Sequence, residues 1–200
     1  AEDNDQARAE QAFGEVIRLL QGRPDQVERY SRGLTGLARV RWLGQNRLVE
    51  ARGLFEQALA ALRSDPQTPV FWLTKPQAEL ADVLIRLGDY TRARSLYEEA
   101  HERSRRGLGP IHADTIHTGL RLASSRRSMG EPLAALALLD TLHDDLSKAT
   151  QGQDVYSLPS VYKERADTQL VLGHWAAAQR DYQAALDGVQ RRGGGAHVND

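Results

Sequence analysis

The feature that most restricts the fold of this 200-residue chain is an internal repeat of about 42 residues. A triplet of residues recurs along the chain: a small residue, a large apolar residue four positions later, and a further small or apolar residue three positions after that. The first member of this triplet falls at Ala9, Ala51, Ala93, Ala135 and Ala178, so the steps are 42, 42, 42 and 43 residues. Such a period predicts an array of equivalent units, each of which packs mainly against its neighbours.

The triplet itself predicts close packing between helices. Spacings of four and three place Ala93, Tyr97 and Ala100 on one face of a helix. Small residues let a neighbouring helix approach closely, and the ring between them fills the space at the crossing. A glycine five residues before the triplet, such as Gly88, is suited to the positive φ of a helix end. Each unit is therefore predicted to contain a helix A, a tight turn and a helix B.

This pattern resembles the tetratricopeptide repeat. The period is longer than that family's usual 34 residues or so and is similar to the kinesin-light-chain-like variety, as is the segment 108–114 between two units. The resemblance covers residues 4–191 and implies an all-α, right-handed superhelical solenoid of antiparallel helix pairs. It is carried by Leu80, Ala81, Leu84, Gly88, Tyr90, Ala93, Tyr97 and Ala100, and by Ala166, Leu172, Gly173, Trp175, Ala178, Tyr182 and Ala185.

We expect residues 1–192 to form a single repeat domain and residues 193–200 to be a flexible tail. Residues 4–22 look like a helix B without its helix A, so we expect the natural protein to continue upstream. The linkers 64–75 and 149–158 are expected to be irregular. The predicted pairs that follow the first helix are 27–43 with 46–64, 76–87 with 90–106, 112–128 with 131–148, and 159–172 with 175–191.

Composition and charge exclude several classes of function. The 26 Lys and Arg against 27 Asp and Glu give a net charge of −1, which provides no electrostatic basis for binding nucleic acid. The absence of cysteine excludes disulfides, thiolate metal sites and thiol nucleophiles. The longest apolar run, 133–139, is far shorter than the ~20 residues of a membrane span. We therefore expect no membrane insertion by this segment. Because no group of polar residues in the sequence converges on one site, we also expect no enzyme activity, no cofactor and no metal.

Two histidine-containing clusters are interpreted as structural. His112 and His117 are five residues apart, so on a helix their imidazoles diverge by about 140° and do not converge on a metal. Together with Asp114 they are better explained as a linker and a helix start. His143-Asp144-Asp145 is interpreted as a solvated helix face.

The aromatic residues fall into two groups. Tyr90, Tyr97, Trp175 and Tyr182 occupy repeat positions, which predicts that they pack in the core. Phe71-Trp72 lies outside the repeat pattern, in a predicted linker, where it either covers the core locally or contacts a partner.

The resemblance also implies where a partner binds. In the family, the A helices line a concave groove that holds an extended or helical peptide. Five of the six groove positions selected here are basic, which favours an acidic peptide, and we expect these positions to be unnecessary for folding because they face away from the packing triplet. The predicted partner-binding residues are Lys75, Asp82, Arg86, Arg121, Arg127 and Lys163, with Phe71 and Trp72 as the alternative site.

The function favoured by the sequence is thus a protein-binding or peptide-binding scaffold or sensing module. We expect it to be the C-terminal part of a larger bacterial regulator in the cytoplasm. A stand-alone exported scaffold in the periplasm is the alternative, and an enzyme built on a helical array is the remaining one.

Overall fold

The computed structural model describes residues 2–150 and 157–194, and every regular element in these ranges is helical. The chain divides between Ala100 and His101 into two compact units, which are described separately. The organisation of residues 1–192 as a single domain stays a prediction. Within the described ranges, no helix is both long and apolar enough to span a membrane.

Unit 1 is built from helices that pack in chain order, α1 on α2, α2 on α3 and α3 on α4. A 3-10 turn, Pro24–Gln26, precedes α2, and a π-helical turn, Val40–Gly44, extends it. The bounds are Glu2–Leu20 for α1, Val27–Arg39 for α2, Leu48–Arg63 for α3, Val70–Arg86 for α4 and Tyr90–Leu108 for α5, which continues past the division.

Unit 2 contains the end of α5 and four further helices, α6 (Ala113–Ser128), α7 (Pro132–Thr150), α8 (Leu158–Val171) and α9 (Trp175–Gly194). Helix α6 packs on α7, α7 on α8 and α8 on α9. Because only three residues separate α8 from α9, and three separate α6 from α7, these neighbours are antiparallel pairs. The core between α6, α7 and α8 includes Ile116, Leu139, Leu142, Leu146, Leu158 and Val161.

The predicted glycine turns are confirmed at three places. Gly88, Gly130 and Gly173 have φ values of 81°, 81° and 76°, in the left-handed region that disfavours other residues. At the first of them the amide of Asp89 donates to the carbonyl of Leu84 and that of Gly88 to the carbonyl of Ile85, which is the Schellman arrangement, and the other two turns repeat it. This turn ends the A helices α4, α6 and α8 and starts the B helices α5, α7 and α9 at the same relative position.

Three of the predicted helix boundaries are wrong. Helix α4 begins at Val70 rather than at residue 76, so Phe71 and Trp72 lie in its first turn instead of in a linker. Pro76 is tolerated inside the helix because buried neighbours such as Leu73 and Leu80 hold that stretch against α3. Helix α9 continues to Gly194, and the rest of the predicted tail lies outside the described residues. In the first full pair, residues 40–44 form a π-helical turn rather than part of the α-helix.

The prediction that the repeat aromatics pack in the core is confirmed for Tyr97, which is fully buried, and wrong for two others. Tyr90 and Trp175 are exposed because each is the first residue of its B helix, one turn before the buried Ala93 or Ala178. The interpretation of residues 143–145 as a solvated helix face is wrong for His143, because the centroid of its ring lies 5.3 Å from that of the Tyr162 ring.

Two of the tyrosines are joined to the A helix of their own pair by the same hydrogen bond. The hydroxyl of Tyr97 donates to Asp82, and that of Tyr182 donates to Asp167, in each case 15 positions earlier in the sequence. Burial raises the pKa of Tyr97, and the bond to Asp167 raises the pKa of Tyr182 to about 12. Both phenols therefore remain protonated donors at neutral pH.

The other two helix pairs, α2 with α3 and α6 with α7, lack both the phenol and the carboxylate of this hydrogen bond. Phe55 and Leu139 occupy the tyrosine position, and the residues 15 positions before them are Val40 and Ser124. The carboxylate therefore occurs only where a phenol is present to donate to it, as expected of polar groups that would otherwise be left unpaired.

We expect Tyr97→Phe to lower the free energy of unfolding by about 1–2 kcal/mol, because the partly buried carboxylate of Asp82 loses a charged hydrogen bond. The double change Tyr97→Phe with Asp82→Val copies the pair Phe55 and Val40 and should recover most of this loss. Urea unfolding of the four chains of this cycle measures both effects. Losses that simply add in the double variant would contradict the coupling.

His101 is buried in unit 2. Its Nδ1 lies 3.1 Å from the carbonyl oxygen of Thr115, so this nitrogen carries the proton of the neutral ring and donates it. Gly119 makes room for the ring, since a Cβ at this position would lie 3.0 Å from Cε1 of His101. Burial lowers the pKa of His101, and the bond to Thr115 offsets this only in part.

This depressed pKa predicts a pH dependence of stability. The pKa of the histidine in the unfolded chain is about 6.5. As the pH falls, the unfolded chain therefore takes up a proton at a higher pH than the buried His101 of the folded chain does. Stability is therefore fully present above that pH and is lost as the pH falls towards the folded-state pKa. Urea unfolding at pH 7.5 and pH 5.5 should show a smaller acid-induced loss for His101→Gln, which can keep a donor to Thr115 but does not titrate. Equal losses in the two proteins would show that His101 is not responsible.

Candidate functional site

Unit 1 contains a pocket of about 620 Å³ between α1, α2, α3 and α4. It contains three of the predicted partner-binding residues, Phe71, Trp72 and Lys75, which α4 presents together because they fall within its first two turns. Further lining comes from Phe13, Glu28, Arg32, Thr35, Gly36, Arg39, Leu62 and Pro76.

The apolar part of the pocket depends on a close approach between α1 and α2. A Cβ at Gly36 would overlap the ring of Phe13, so only glycine lets this ring lie against the α2 backbone. On the opposite side, the rings of Phe71 and Trp72 form an edge-to-face pair with centroids 5.7 Å apart. Phe71 remains 50% exposed, so half of its apolar surface is in contact with water.

The cations of the pocket differ in how they are paired. Arg39 places Nε 2.9 Å and 3.0 Å from the two carboxylate oxygens of Glu79, which neutralises it. Arg32 lies 3.3 Å from Glu28 on an exposed part of α2, a kind of pair that contributes little. Among the residues that the structure describes, Lys75 has no hydrogen-bond or ion-pair partner. The pocket therefore has excess positive charge beside exposed aromatic surface.

The hydroxyl groups near the pocket are already engaged. Ser31 Oγ donates to the carbonyl of Ala58 at 2.9 Å, and Thr35 Oγ1 donates to the carbonyl of Ser31 at 2.8 Å. The lining includes no histidine, cysteine or lone carboxylate that would activate such a hydroxyl or a water molecule. This chemistry suits binding rather than bond breaking.

A second, smaller pocket of about 280 Å³ lies between α3 and α5. Its charged groups are paired with each other across the two helices: Arg92 lies 2.8 Å from Glu56, and Arg63 lies 3.1 Å from Glu99. It therefore offers a ligand less unsatisfied charge than the first pocket does.

The two remaining α4 candidates share the Lys75 face of that helix, at spacings of seven and eleven residues. Asp82 accepts the hydrogen bond of Tyr97, and Arg86 donates to Oδ1 of Asn46 at 2.9 Å. The expectation that these positions are unnecessary for folding is therefore wrong for Asp82, since its carboxylate satisfies a buried phenol.

In unit 2, the expectation that the predicted binding residues are unnecessary for folding is also wrong for Arg127. Its Nη1 lies 2.9 Å from Oε2 of Glu164 and 3.2 Å from Oγ1 of Thr168, so it joins α6 to α8. Arg121 is half-buried, which lowers its pKa, and Lys163 pairs with Asp167 at 3.0 Å. The unit 2 candidates thus lie on the two A helices, as predicted, but within a network of opposite charges.

A Ser–His–Asp series does occur in unit 2. His143 Nε2 lies 3.4 Å from Ser147 Oγ and 3.3 Å from the hydroxyl of Tyr162, while Nδ1 lies 3.3 Å from Asp144. The distances are long, and Asp144 is exposed. Ser147 lies inside α7, where the backbone amides that could form an oxyanion hole already donate within the helix. We interpret the series as the contact between α7 and α8.

His112 begins α6. Its ring accepts a hydrogen bond from the amide of Asp114 at 3.2 Å, which caps the helix and confirms the interpretation of this segment as a helix start. Among the described side chains, no group of three or more His, Asp or Glu residues is arranged to hold a metal.

The sequence analysis missed the contribution of α1 and α2 to the pocket. Phe13, Arg32 and Arg39 were not among the candidates because the first full pair departs from the pattern that aligned the others: Asn46 stands where they have the turn glycine, and Gly44 lies two residues earlier. One available signal was the pair Gly33 and Gly36, whose spacing of three indicates a close approach of another helix.

Comparison with known proteins agrees with this architecture. The Tetratricopeptide repeat family model matches residues 75–144. Among solved structures, BtubC (BKLC) from P. vanneervenii is 20% identical with a TM-score of 0.79, and the match covers 96% of this chain and 74% of that one. A Podosopora anserina kinesin-light-chain-like protein of nearly identical TPR-like repeats is 20% identical with a TM-score of 0.70, covering 95% of both chains.

Aspartyl phosphate phosphatase F from Bacillus subtilis is a further structural neighbour. It is 14% identical with a TM-score of 0.71, and the match covers 90% of this chain but 45% of that protein. No curated protein matches the chain in sequence. The family match and the structural neighbours lead to one conclusion: residues 75–144 match the tetratricopeptide-repeat family model, and the chain has the fold of tetratricopeptide-repeat proteins.

Proposed function

We propose that this chain is a non-catalytic peptide-binding module whose binding site is the unit 1 pocket. The observation that carries the proposal is the combination of the exposed ring of Phe71, packed on the half-buried ring of Trp72, with the unpaired cation of Lys75. The ligand that matches it is a peptide with a large apolar side chain next to a carboxylate.

The apolar and the charged parts of the pocket have different roles in this proposal. The aromatic pair buries the apolar side chain of the ligand, which supplies most of the affinity. Lys75 attracts the neighbouring carboxylate and selects against basic peptides, and Arg32 adds to this because its own pair with Glu28 is exposed. Arg39 has a supporting role, since Glu79 already binds its guanidinium.

The wider role extends the same proposal. We place the chain in a larger bacterial regulator, in the cytoplasm, where peptide binding transmits a signal, and an exported periplasmic scaffold is the alternative. The same fold occurs in a bacterial protein, aspartyl phosphate phosphatase F from Bacillus subtilis. The engaged hydroxyls of Ser31 and Thr35 and the absence of a general base from the pocket lining support a module without catalytic activity.

The test uses two fluorescein-labelled decapeptides, one with a leucine flanked by glutamates and one in which lysines replace the glutamates. The first should bind and the second should not. We expect Lys75→Glu to weaken binding of the first by about tenfold, equivalent to 1–2 kcal/mol or so. Phe71→Ala, at a half-exposed position, should weaken it at least as much without loss of stability. Fluorescence anisotropy gives the affinities.

The matched control is Lys148→Glu, which reverses the charge of another exposed lysine, on α7. It should leave peptide affinity unchanged. Equal effects of the two lysine changes, or equal binding of the two peptides by the unaltered protein, would contradict the assignment of the site.

A further inference from the structure

Lys75, the unpaired cation of the unit 1 pocket, lies one helical turn from the carboxylate of Glu79. The two residues are four positions apart on α4 and therefore share one face of this helix. Opposite charges at this spacing usually attract each other into an ion pair. Lys75 nevertheless has no ion-pair partner among the described residues, and Glu79 is bound to a different cation. The charge that the pocket offers to a ligand thus depends on what holds Glu79.

The group that holds Glu79 is the guanidinium of Arg39, on α2. Its Nε donates to both carboxylate oxygens, at 2.9 Å and 3.0 Å, and the Glu79 side chain is only 15% exposed. Charged hydrogen bonds of this kind are stronger than neutral ones. The competing pair within α4 is weak, because a lysine that precedes its glutamate by four residues has the less favourable order. The bond to Arg39 therefore prevails and occupies both oxygens of Glu79.

A lysine of α8 shows what happens when a carboxylate oxygen is left over. Lys163 and Asp167 have the same order and the same spacing of four residues, and here the ion pair forms, with Nζ 3.0 Å from Oδ2. The other oxygen, Oδ1, accepts the hydrogen bond of Tyr182. An oxygen that has no other donor is thus sufficient for this chain to pair a lysine along one helix turn. On α4 the bond to Arg39 leaves no such oxygen on the carboxylate.

The arginine–glutamate bond itself recurs in unit 2 without the lysine. Glu164 on α8 stands two repeats after Glu79 and accepts a hydrogen bond from Arg127, on the preceding A helix, at 2.9 Å. The residue that corresponds to Lys75 is Ser160. The bond between successive A helices is therefore a feature of both units, and the lysine beside it distinguishes the unit 1 pocket.

We propose that Arg39 is a positioning residue of the pocket, which keeps the ammonium group of Lys75 free for the ligand by holding both oxygens of Glu79. The inference rests on the peptide-binding function proposed above. Arg39, Glu79 and Lys75 together carry one net positive charge, which matches a ligand with a single carboxylate beside its apolar side chain. Without Arg39, Glu79 pairs with Lys75 and occupies the place of the ligand's carboxylate.

The first test needs no peptide, because the chain has only three lysines, Lys75, Lys148 and Lys163, all of them exposed. Their rates of acetylation by acetic anhydride are measured by mass spectrometry. Lys148, which has no partner among the described residues, and the paired Lys163 are the internal references. In Arg39→Gln we expect Lys75 to react about twofold more slowly, because an ammonium group held by a carboxylate loses its proton less readily and only the free amine reacts. The added change Glu79→Gln should restore the rate.

The second test compares the decapeptide with a leucine flanked by glutamates with one in which glutamines replace the glutamates. The ratio of the two affinities measures the charge that the pocket offers, since damage to the pocket weakens both peptides. We expect Arg39→Gln to lower this ratio by about fivefold and Glu79→Gln to raise it by a similar factor. Glu79→Gln keeps an oxygen that accepts from Nε of Arg39, so α2 and α4 stay joined. In the double variant the ratio should return to within about twofold of its original value.

The matched control is Arg127→Gln, which removes the equivalent bond in unit 2 and should leave the ratio unchanged. Circular dichroism and urea unfolding establish which variants are folded. A ratio that Glu79→Gln does not raise would overturn the proposal even if Arg39→Gln failed to fold.

Two further results would also overturn it. One is unchanged acetylation of Lys75 in Arg39→Gln. The other is a double variant that binds as weakly as Arg39→Gln, since Arg39 would then contact the ligand itself. An unaltered protein that does not prefer the glutamate peptide would instead contradict the proposed function, and the acetylation rates would still decide whether Arg39 holds Glu79 away from Lys75.

Discussion

The close contact made at the repeated alanines determines the rest of this structure. Ala51, Ala93, Ala135 and Ala178 have no exposed surface, and they recur in steps of 42 or 43 residues. A larger side chain at any of them would separate two helices that pack within one unit. Because the contact recurs, the residues on either side of it recur in the same orientation, and each A helix presents equivalent positions to its surroundings.

The glycine turns transmit this regularity along the chain. A left-handed residue at positions 88, 130 and 173 ends each A helix in the same way, so the following B helix starts at a fixed rotation. The first full pair shows the consequence of losing the glycine. There a π-helical turn, Val40–Gly44, and the left-handed Asn46 make the connection, and Arg86 of α4 donates to the Asn46 side chain.

Features that depend on residues close together in the sequence could be predicted, whereas features that depend on contacts between distant residues could not. The helix pairs and their turns depend on spacings of three to five residues, so the pattern at Leu87-Gly88 and Ala93 was sufficient to find them. The start of α4 was not predictable in the same way, because Pro76 favours a helix start locally while burial of Leu73 against another helix extends the helix to Val70. The pocket depends on Phe13 lying against Gly36, a contact between residues 23 positions apart for which the repeat provides no template.

The ion pairs explain why groove charge alone does not identify a binding site. On α6 and α8, Arg127 and Lys163 are basic, but Glu164 and Asp167 lie within 3.0 Å of them. These carboxylates were known from the sequence, but their pairing across 37 positions or along one helix turn becomes evident only when side chains are placed. A cation that is already paired must break that pair before it binds a ligand, so its net contribution to affinity is small. The charge that can select a partner is the charge left after internal pairing, and in the unit 1 pocket this is the ammonium group of Lys75 beside the aromatic pair.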